Sequence, residues 1–592
     1  MNSEWCSSSK IILGIDIGTT YSAVSFAYLI EGERPKVQRV IKWPGQLSGA
    51  QQCSIPSWIW YNNRGKPILL GAQAANDNEV EETVDTGCTL VKHFKLHLHP
   101  EEMAPSGGFE LDALPNGLTI DRIYTDFLRY MFEHTKSFFQ KEVFEGKQVW
   151  EKHSNSMEVV ITHPNGWGIY EQTKLRTAAI RAGLVPERDS TSRIKFLSEA
   201  EASVHFCINS MNLQTLVEPE SKLLVCDAGG STVDTTVYNV TSTDPKLKLE
   251  EIKASACIQA GSIFVDKPAE IFIRTKLERA EIIRDDVDEY TKTGANEFRT
   301  KVKPEYTGYN ETMSIAVGRK SFNRPHINVT NGRMRLQGSE IKAFFDPCVD
   351  QIVRVVKSQA QDVTSPHVFL VGGFGDSPYL QKSLREGLGG LKQLTTNNQP
   401  GAKAVADGAV IWAIDQSVVA RATRYSFGVP VAVRHNRGRP EHANRIVMTD
   451  PEGERVIPGG WSEIVGKGTV METESAVKMP YYRPYSGPLP TLSDFSVLIF
   501  STTLPAKTEF MMDKDGSLLP GFHPVCQVSA NLQALEGNLS RKSNSVVGTY
   551  WELHFRVCIK FTDTELKAYI EWVDKNGNTC TGMAKTIAAA LV

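Results

Sequence analysis

Apolar and polar positions along this chain follow two recurring patterns. Ile11-Ile12-Leu13-Gly14-Ile15 is an apolar run, Asp16 to Tyr21 interrupts it with turn-forming residues, and Ser22 to Phe26 resumes apolar character. Short apolar runs on either side of a polar turn predict a β-hairpin with Asp-Ile-Gly-Thr-Thr at its tip. The pattern returns as Leu223-Leu224-Val225-Cys226-Asp227, then Gly229-Gly230-Ser231-Thr232, then an apolar stretch from Val233 to Val240. A supersecondary unit repeated within one chain predicts duplicated lobes.

Helical spacing governs other stretches. Ile123, Phe127, Tyr130, Met131 and Phe138 recur on one face behind Thr119 or Asp121, which predicts a long helix over 119–145. Met157 to His163 reads as a buried strand stopping at Pro164, and Tyr170 to Ala182 as a helix ended by Gly183. A charged helical insertion is expected over 268–303, a strand entering a Gly-rich turn over His367 to Gly373, and a helix over Lys403 to Asp415. Beyond about residue 422, Pro480, Pro484, Pro488 and Pro490 lie among strand-like stretches such as Phe495 to Thr502 and Tyr550 to Phe561. A separate β-rich domain is expected there, with Met479 to Pro490 as a surface loop.

Composition narrows the class without naming a function. A chain of 592 residues is too long for one core, and 41% hydrophobic content, 22% charged content and a net charge of −3 suit a soluble multi-lobed protein. No run of Lys and Arg supplies a footprint for nucleic acid, which is not an expected partner. Ten cysteines are scattered singly, with no C-x-x-C pair, as in a reducing compartment. Met1 to Lys10 lacks a basic and apolar leader, and no window offers about 18 uninterrupted apolar residues, so a cytoplasmic chain without a membrane span is expected.

The two hairpin tips carry the chemistry. A phosphate chain needs closely approaching backbone N–H groups, hydroxyls, and carboxylates that hold the waters of Mg²⁺. Asp16-Ile17-Gly18-Thr19-Thr20 and Asp227-Ala228-Gly229-Gly230-Ser231-Thr232-Val233-Asp234 each gather that set in one turn. One such turn alone equally suits an ordinary Gly-turn hairpin, but two can clamp one phosphate tail from both sides. His97 and His99, placed on one strand face, lack a Cys or acidic pattern to complete a metal set, and Trp43, Trp58, Trp60 and Trp167 read as core residues.

These motifs bear a family resemblance. Gly14-Ile15-Asp16-Ile17-Gly18-Thr19-Thr20-Tyr21-Ser22 resembles the first phosphate loop of the heat shock protein 70 family, and Asp227 to Asp234 its second. Val368-Phe369-Leu370-Val371-Gly372-Gly373-Phe374 is similar to its adenosine loop, Ala404 to Ala409 to its second connecting helix, and Val159 to Pro164 to its first connecting segment. The motifs stand in family order over about the first 415 residues, closest to the divergent heat shock 70 kDa protein 12 type. The resemblance implies an α/β actin-like ATPase fold with two duplicated ribonuclease H-like lobes, about 1–220 and 221–400, in a nucleotide-binding domain of residues 1–415. A linker at 416–422 and a β-rich C-terminal domain over 423–592 complete the expectation.

The same resemblance implies roles, residue by residue. Asp16 and Asp227 would hold hydrated Mg²⁺, with Gly18, Thr19, Thr20, Tyr21, Gly229, Gly230, Ser231 and Thr232 around the phosphates of ATP or ADP. Lys92 would reach the γ-phosphate, Glu199 would order water, and Asp234 would orient or deprotonate it. Gly372, Gly373 and Lys303 would flank the adenosine, although Pro304 would interrupt a helix there. Pro164 resembles a conformational switch, and equally a strand terminator. The implied activity is slow Mg-ATP hydrolysis driving a chaperone-like or regulatory change, with a protein client or co-chaperone as partner. A non-hydrolysing ATP-bound scaffold and a small-molecule kinase of the same superfamily are the alternatives. The family's acidic, leucine-rich linker is absent from Gln416 to Ala422, and the β-rich remainder leaves no room for a long helical lid.

Overall fold

The computed structural model describes residues 4–46, 52–85, 87–100, 103, 111–115, 117–210, 217–243, 247–309, 311–389, 394–396, 404–415, 418–472, 475–504, 508–533, 535, 539–562 and 565–582. The chain is a mixed α/β protein dividing into two compact units, Met1–Glu250 with Ser255–Val418, and Glu251–Ala254 with Val419–Val592.

In the first unit, β1 (Lys10–Ile17) and β2 (Tyr21–Leu29) form an antiparallel hairpin in which Asp16 faces Ala23. On its other edge β1 runs parallel to β3 (Glu158–His163), which runs parallel to β4 (Ile194–Ser198). A second sheet repeats this arrangement. There β5 (Lys222–Ala228) is antiparallel to β6 (Thr232–Ser242), β7 (Ala256–Gln259) lies on the far edge of β6, and β8 (His367–Val371) runs parallel to β5. Near-continuous apolar runs suit strands covered on both faces. Ile11, Leu13 and Ile15 share one core with Phe127, Leu128 and Met131 of α1 (Ile120–Glu142) and Ala178 of α2 (Ile169–Arg181).

Helix α1 ends at Glu142, short of the expected 145, because Val143 turns extended and Glu145 adopts a left-handed backbone before a second helix, Gly146–His153. The insertion consists of α4 (Ile263–Glu278) and α5 (Arg284–Glu297), following α3 (Glu199–Ser210) in the chain. Pro304 does not interrupt it. A π turn over Phe298–Val302 runs on into Lys303–Glu305, and Pro304, which has no N–H to give, is accommodated behind that wider turn near the end of the helical stretch. Farther on come α6 (Pro378–Gly387) and α7 (Ala404–Asp415). Buried Asp407 ties α7 to β2, accepting from Ser25 Oγ at 2.6 Å and Arg39 Nε at 2.8 Å.

The second unit carries no α-helix among its described residues. One sheet runs Met448–Thr449, Arg455–Val465, Ser426–Arg434, Phe495–Thr502 and Phe522–Ala530; the other centres on Gly548–Thr562 between Ala476–Ser486 and Glu565–Val573. The division of the chain into units falls within the stretch expected as a linker, 416–422. Gln416 and Ser417 lie outside the described residues, while Val418–Ala422 is a strand with alternating burial, laddered to Val470–Glu472. Most of the expected surface loop at Met479 to Pro490 is likewise strand, Ala476–Ser486. Pro480 and Pro484 are four residues apart and so turn their nitrogens to the same side, tolerated because this strand ends its sheet. Among the described residues no helix is long and apolar enough to cross a membrane.

Candidate functional site

The two hairpin tips of the first unit meet. Buried Thr19 and Ser231 share a hydrogen bond, Oγ1 to Oγ, of 2.6 Å. A Cβ on Gly230 would stand 2.6 Å from Thr20 Oγ1, so any side chain here would have to displace Thr20. Ser57 braces the first loop, its Oγ donating to the Gly18 carbonyl at 2.6 Å and its N–H to that of Thr20 at 2.9 Å. The second loop is closed by Gly229 N–H to the Thr232 carbonyl at 2.9 Å, and Ile263 at the head of α4 donates to the Gly230 carbonyl at 2.9 Å. Tyr21 is half exposed beside them. Gly372 has φ +85°, and a Cβ there would lie 2.4 Å from Asp227 Oδ1, whereas a Cβ on Gly373 would meet open space. The turn after β8 is thus pressed against the second loop, with Phe374 N–H donating to the Ala228 carbonyl at 2.9 Å.

Four buried carboxylates gather below the loops, each held by a different segment. Thr162 Oγ1 donates to Asp16 Oδ1 at 3.4 Å, Ser203 Oγ to Asp227 Oδ2 at 2.7 Å, and the Asn165 backbone N–H to Asp234 Oδ1 at 2.7 Å. Glu199 Oε1 pairs with Lys95 Nζ at 2.5 Å. Burial opposes the Lys95 charge, but Glu199, Asp16 and Asp234 outweigh it and hold its pKa above the usual value. Burial pushes the Glu199 carboxyl up; Lys95 partly offsets this, and Asp234, Asp16 and Asp227 add to it. Four carboxylates against one lysine leave an excess of negative charge on hard oxygen donors, which fits a hard cation such as Mg²⁺. Among the described residues no three His, Cys, Asp or Glu side chains converge as a direct metal-ligand set.

Lys92 does not join this group. His93 takes a left-handed backbone (φ 51°) and opens a 3₁₀ turn, Phe94–Leu98, that buries Lys95 with Phe94 and Leu96. Lys92 is left with its Nζ 4.2 Å from the Trp58 ring centroid, its pKa lowered by burial and then by Arg299 and Lys292. His97 therefore sits on that turn and His99 just after it, so the two do not share a strand face. Trp167 Nε1 donates to His99 Nδ1 at 2.8 Å, and Lys95 Nζ lies 5.7 Å from the Trp167 ring. Burial, then Lys95, drives the His99 pKa down to about 3.

Lys303 has a partner, its Nζ donating to Asp266 Oδ2 at 2.7 Å. Burial raises the Asp266 pKa despite Lys303. Pro164 stands between Thr162, which reaches Asp16, and Asn165, which reaches Asp234. The sequence reading missed Lys95, Asn165, Ser203 and Asp266. For Lys95 a signal existed: a lysine between Phe94 and Leu96 in an apolar stretch is a candidate buried cation. A backbone donor such as Asn165 leaves no mark in a sequence.

No protein-family model matches the chain. Among curated proteins it is 23% identical over 510 residues to heat shock 70 kDa protein 12A of Homo sapiens, covering 72% of this chain and 73% of that protein. The Mus musculus protein 12A gives the same figures. Heat shock 70 kDa protein 12B of Homo sapiens is 22% identical over 520 residues, 73% of each.

Proposed function

Starting from a chain that is a distant relative of the heat shock 70 kDa protein 12 proteins, we propose that it binds Mg-ATP between its two Gly loops and hydrolyses it slowly. The observation that carries this reading is the 2.6 Å Thr19–Ser231 contact, which sets two phosphate-type loops face to face above four carboxylates and a lysine. In this reading residues 1–415 are an actin-like nucleotide-binding domain of two duplicated lobes. Residues 423–592 are a C-terminal domain that responds to nucleotide in a chaperone-like or regulatory way, in the cytoplasm.

Asp16 and Asp227 would hold hydrated Mg²⁺, which would supply charge screening for the phosphates and electrophilic help at the γ-phosphoryl group. Backbone N–H groups of Gly18 and Gly230 and the hydroxyls of Thr19, Thr20, Ser231 and Thr232 take the phosphate oxygens, with Gly229 keeping the second loop closed through its own N–H. Lys95, in the place first assigned to Lys92, donates to the γ-phosphate and stabilises charge that grows in the transition state. Glu199 keeps Lys95 aimed, and Asp234, fixed by the Asn165 N–H, orients water and accepts its proton. Gly373 leaves room for the ribose, and the Lys303–Asp266 pair flanks the adenine.

Calorimetry of the full chain with ATP, in Mg²⁺ and in EDTA, tests the clamp, with tighter binding expected in Mg²⁺. Equal affinity, or none, removes the reading. Single-turnover assays then separate hydrolysis from a non-hydrolysing scaffold, and transfer of labelled phosphate to a metabolite would replace both with a kinase.

A further inference from the structure

Helix α1 starts behind its N-cap, Thr119, whose side chain accepts from the Arg122 N–H. Arg122, Thr125 and Arg129 then recur at helical spacing on one side. Asp126, on the same stripe, is buried and holds both guanidinium groups: Arg122 Nε donates to Oδ2 at 2.7 Å and Arg129 Nη1 to Oδ1 at 3.2 Å. Tyr61 OH also donates to Oδ2, at 3.3 Å. Arg129 Nη2 reaches across to the Arg181 carbonyl at 2.8 Å, which brings the last turn of α2 alongside. Thr119, Arg122, Thr125, Arg129 and Arg181 line a cleft of about 380 Å³.

We propose that this cleft binds the phosphate group of a small soluble ligand. Three arginines line it against one buried carboxylate, Asp126, so positive charge is in excess. The carboxylate fixes two of the three forks in place, which lowers the entropy cost of closing on an anion. Arg122 engages Asp126 through Nε and keeps its terminal nitrogens, and no carboxylate pairs with Arg181 among the described residues. The N-terminus of the 23-residue helix α1 adds its partial positive charge. None of the five lining residues is a large hydrophobe, so an apolar ligand has no surface to bury against. The neighbouring Asp121 carboxylate is neutralised by Lys174 at 3.0 Å. The volume lies at the small end of ligand pockets, suiting a phosphate or a compact phosphomonoester more than a peptide. Simple helix-surface ion pairing explains Arg122 and Arg129, but not why Arg181 is added without a partner.

The test is titration of the full chain with inorganic phosphate and, separately, phenyl phosphate, followed by calorimetry, with and without saturating Mg-ADP. Saturable binding is expected that persists with Mg-ADP present and is weakened roughly tenfold in Arg181→Ala and further in Arg122→Ala/Arg181→Ala. Arg181→Lys should retain part of it. Tighter binding of phenyl phosphate than of inorganic phosphate identifies an ester ligand, and the reverse identifies free phosphate. Arg181 is exposed, so circular dichroism and melting of Arg181→Ala should match the wild type, whereas the double variant, which also strips Arg122 from buried Asp126, should keep its circular dichroism and melt somewhat lower. Absence of saturable binding, unchanged binding in the double variant, or loss of binding on adding Mg-ADP overturns the proposal.

Discussion

The Ser203 hydroxyl, carried on α3, donates to Asp227 Oδ2 at 2.7 Å inside the protein. A buried carboxylate is steadied by such a hydroxyl, since hydrogen bonds to charged groups contribute about 1.5–3 kcal/mol. Ser203→Ala should lower stability by up to about that amount and loosen Mg-dependent nucleotide binding, because Asp227 loses one of the contacts that orient it. Denaturant unfolding and calorimetry would measure the two effects. Unchanged values in both would show that Asp227 is held by other contacts.

Lys95 and Lys92 should part company kinetically. Lys95→Ala removes the cation beside Glu199 and is expected to slow ATP hydrolysis by about 10²-fold, as when one transition-state donor is lost. Lys92→Ala should leave the rate within about threefold, since the lysine faces Trp58. Single-turnover rates of both variants decide, and a slow Lys92→Ala with a normal Lys95→Ala would reverse the assignment.

The raised Glu199 pKa sets a sign for stability against pH. A folded-state pKa above the unfolded value of 4.5 means that the folded chain holds its proton longer, so this contribution falls as pH rises above 4.5 through the folded value. Glu199→Gln should remove that decline. Urea unfolding of the nucleotide-free chain across neutral pH, wild type against variant, measures it; parallel curves would contradict it.

His99 works in the opposite direction. Its pKa is depressed to about 3 against an ordinary 6.5, so its contribution is complete above 6.5 and is lost as pH falls towards 3, at up to about 1.4 kcal/mol per pH unit. Because Trp167 Nε1–H donates to Nδ1, the neutral ring carries its proton on Nε2. His99→Asn, which can still accept from the indole, should flatten the acid limb of the stability curve. Trp167→Leu should lower kcat with little change in KM if the indole steadies Lys95, whereas equal loss of stability and activity would mark a packing role alone.

Local chemistry was legible from the chain alone. The Asp16–Thr20 and Asp227–Asp234 turns, their flanking strands and the helix ending at Asp415 announce themselves through contiguous residues, because turn geometry and apolar runs depend on near neighbours. The glycines in those turns were equally readable, since a missing Cβ is a property of the residue.

Tertiary packing decided the rest. Lys92 and Lys95 are three residues apart and chemically alike; the left-handed His93 and the following 3₁₀ turn put one against Trp58 and the other against Glu199. Ser203 reaches Asp227 only because α3 lies beside β5, and Asn165 serves Asp234 through a backbone N–H that any residue but proline possesses. Pro480 and Pro484 spell a loop until the strand that carries them is seen to end a sheet. In each case the deciding contact joins residues distant in sequence or uses an atom common to all residues. Residue order by itself therefore determined the two Gly-rich turns, while the three-dimensional fold chose the charges that face one another beneath them.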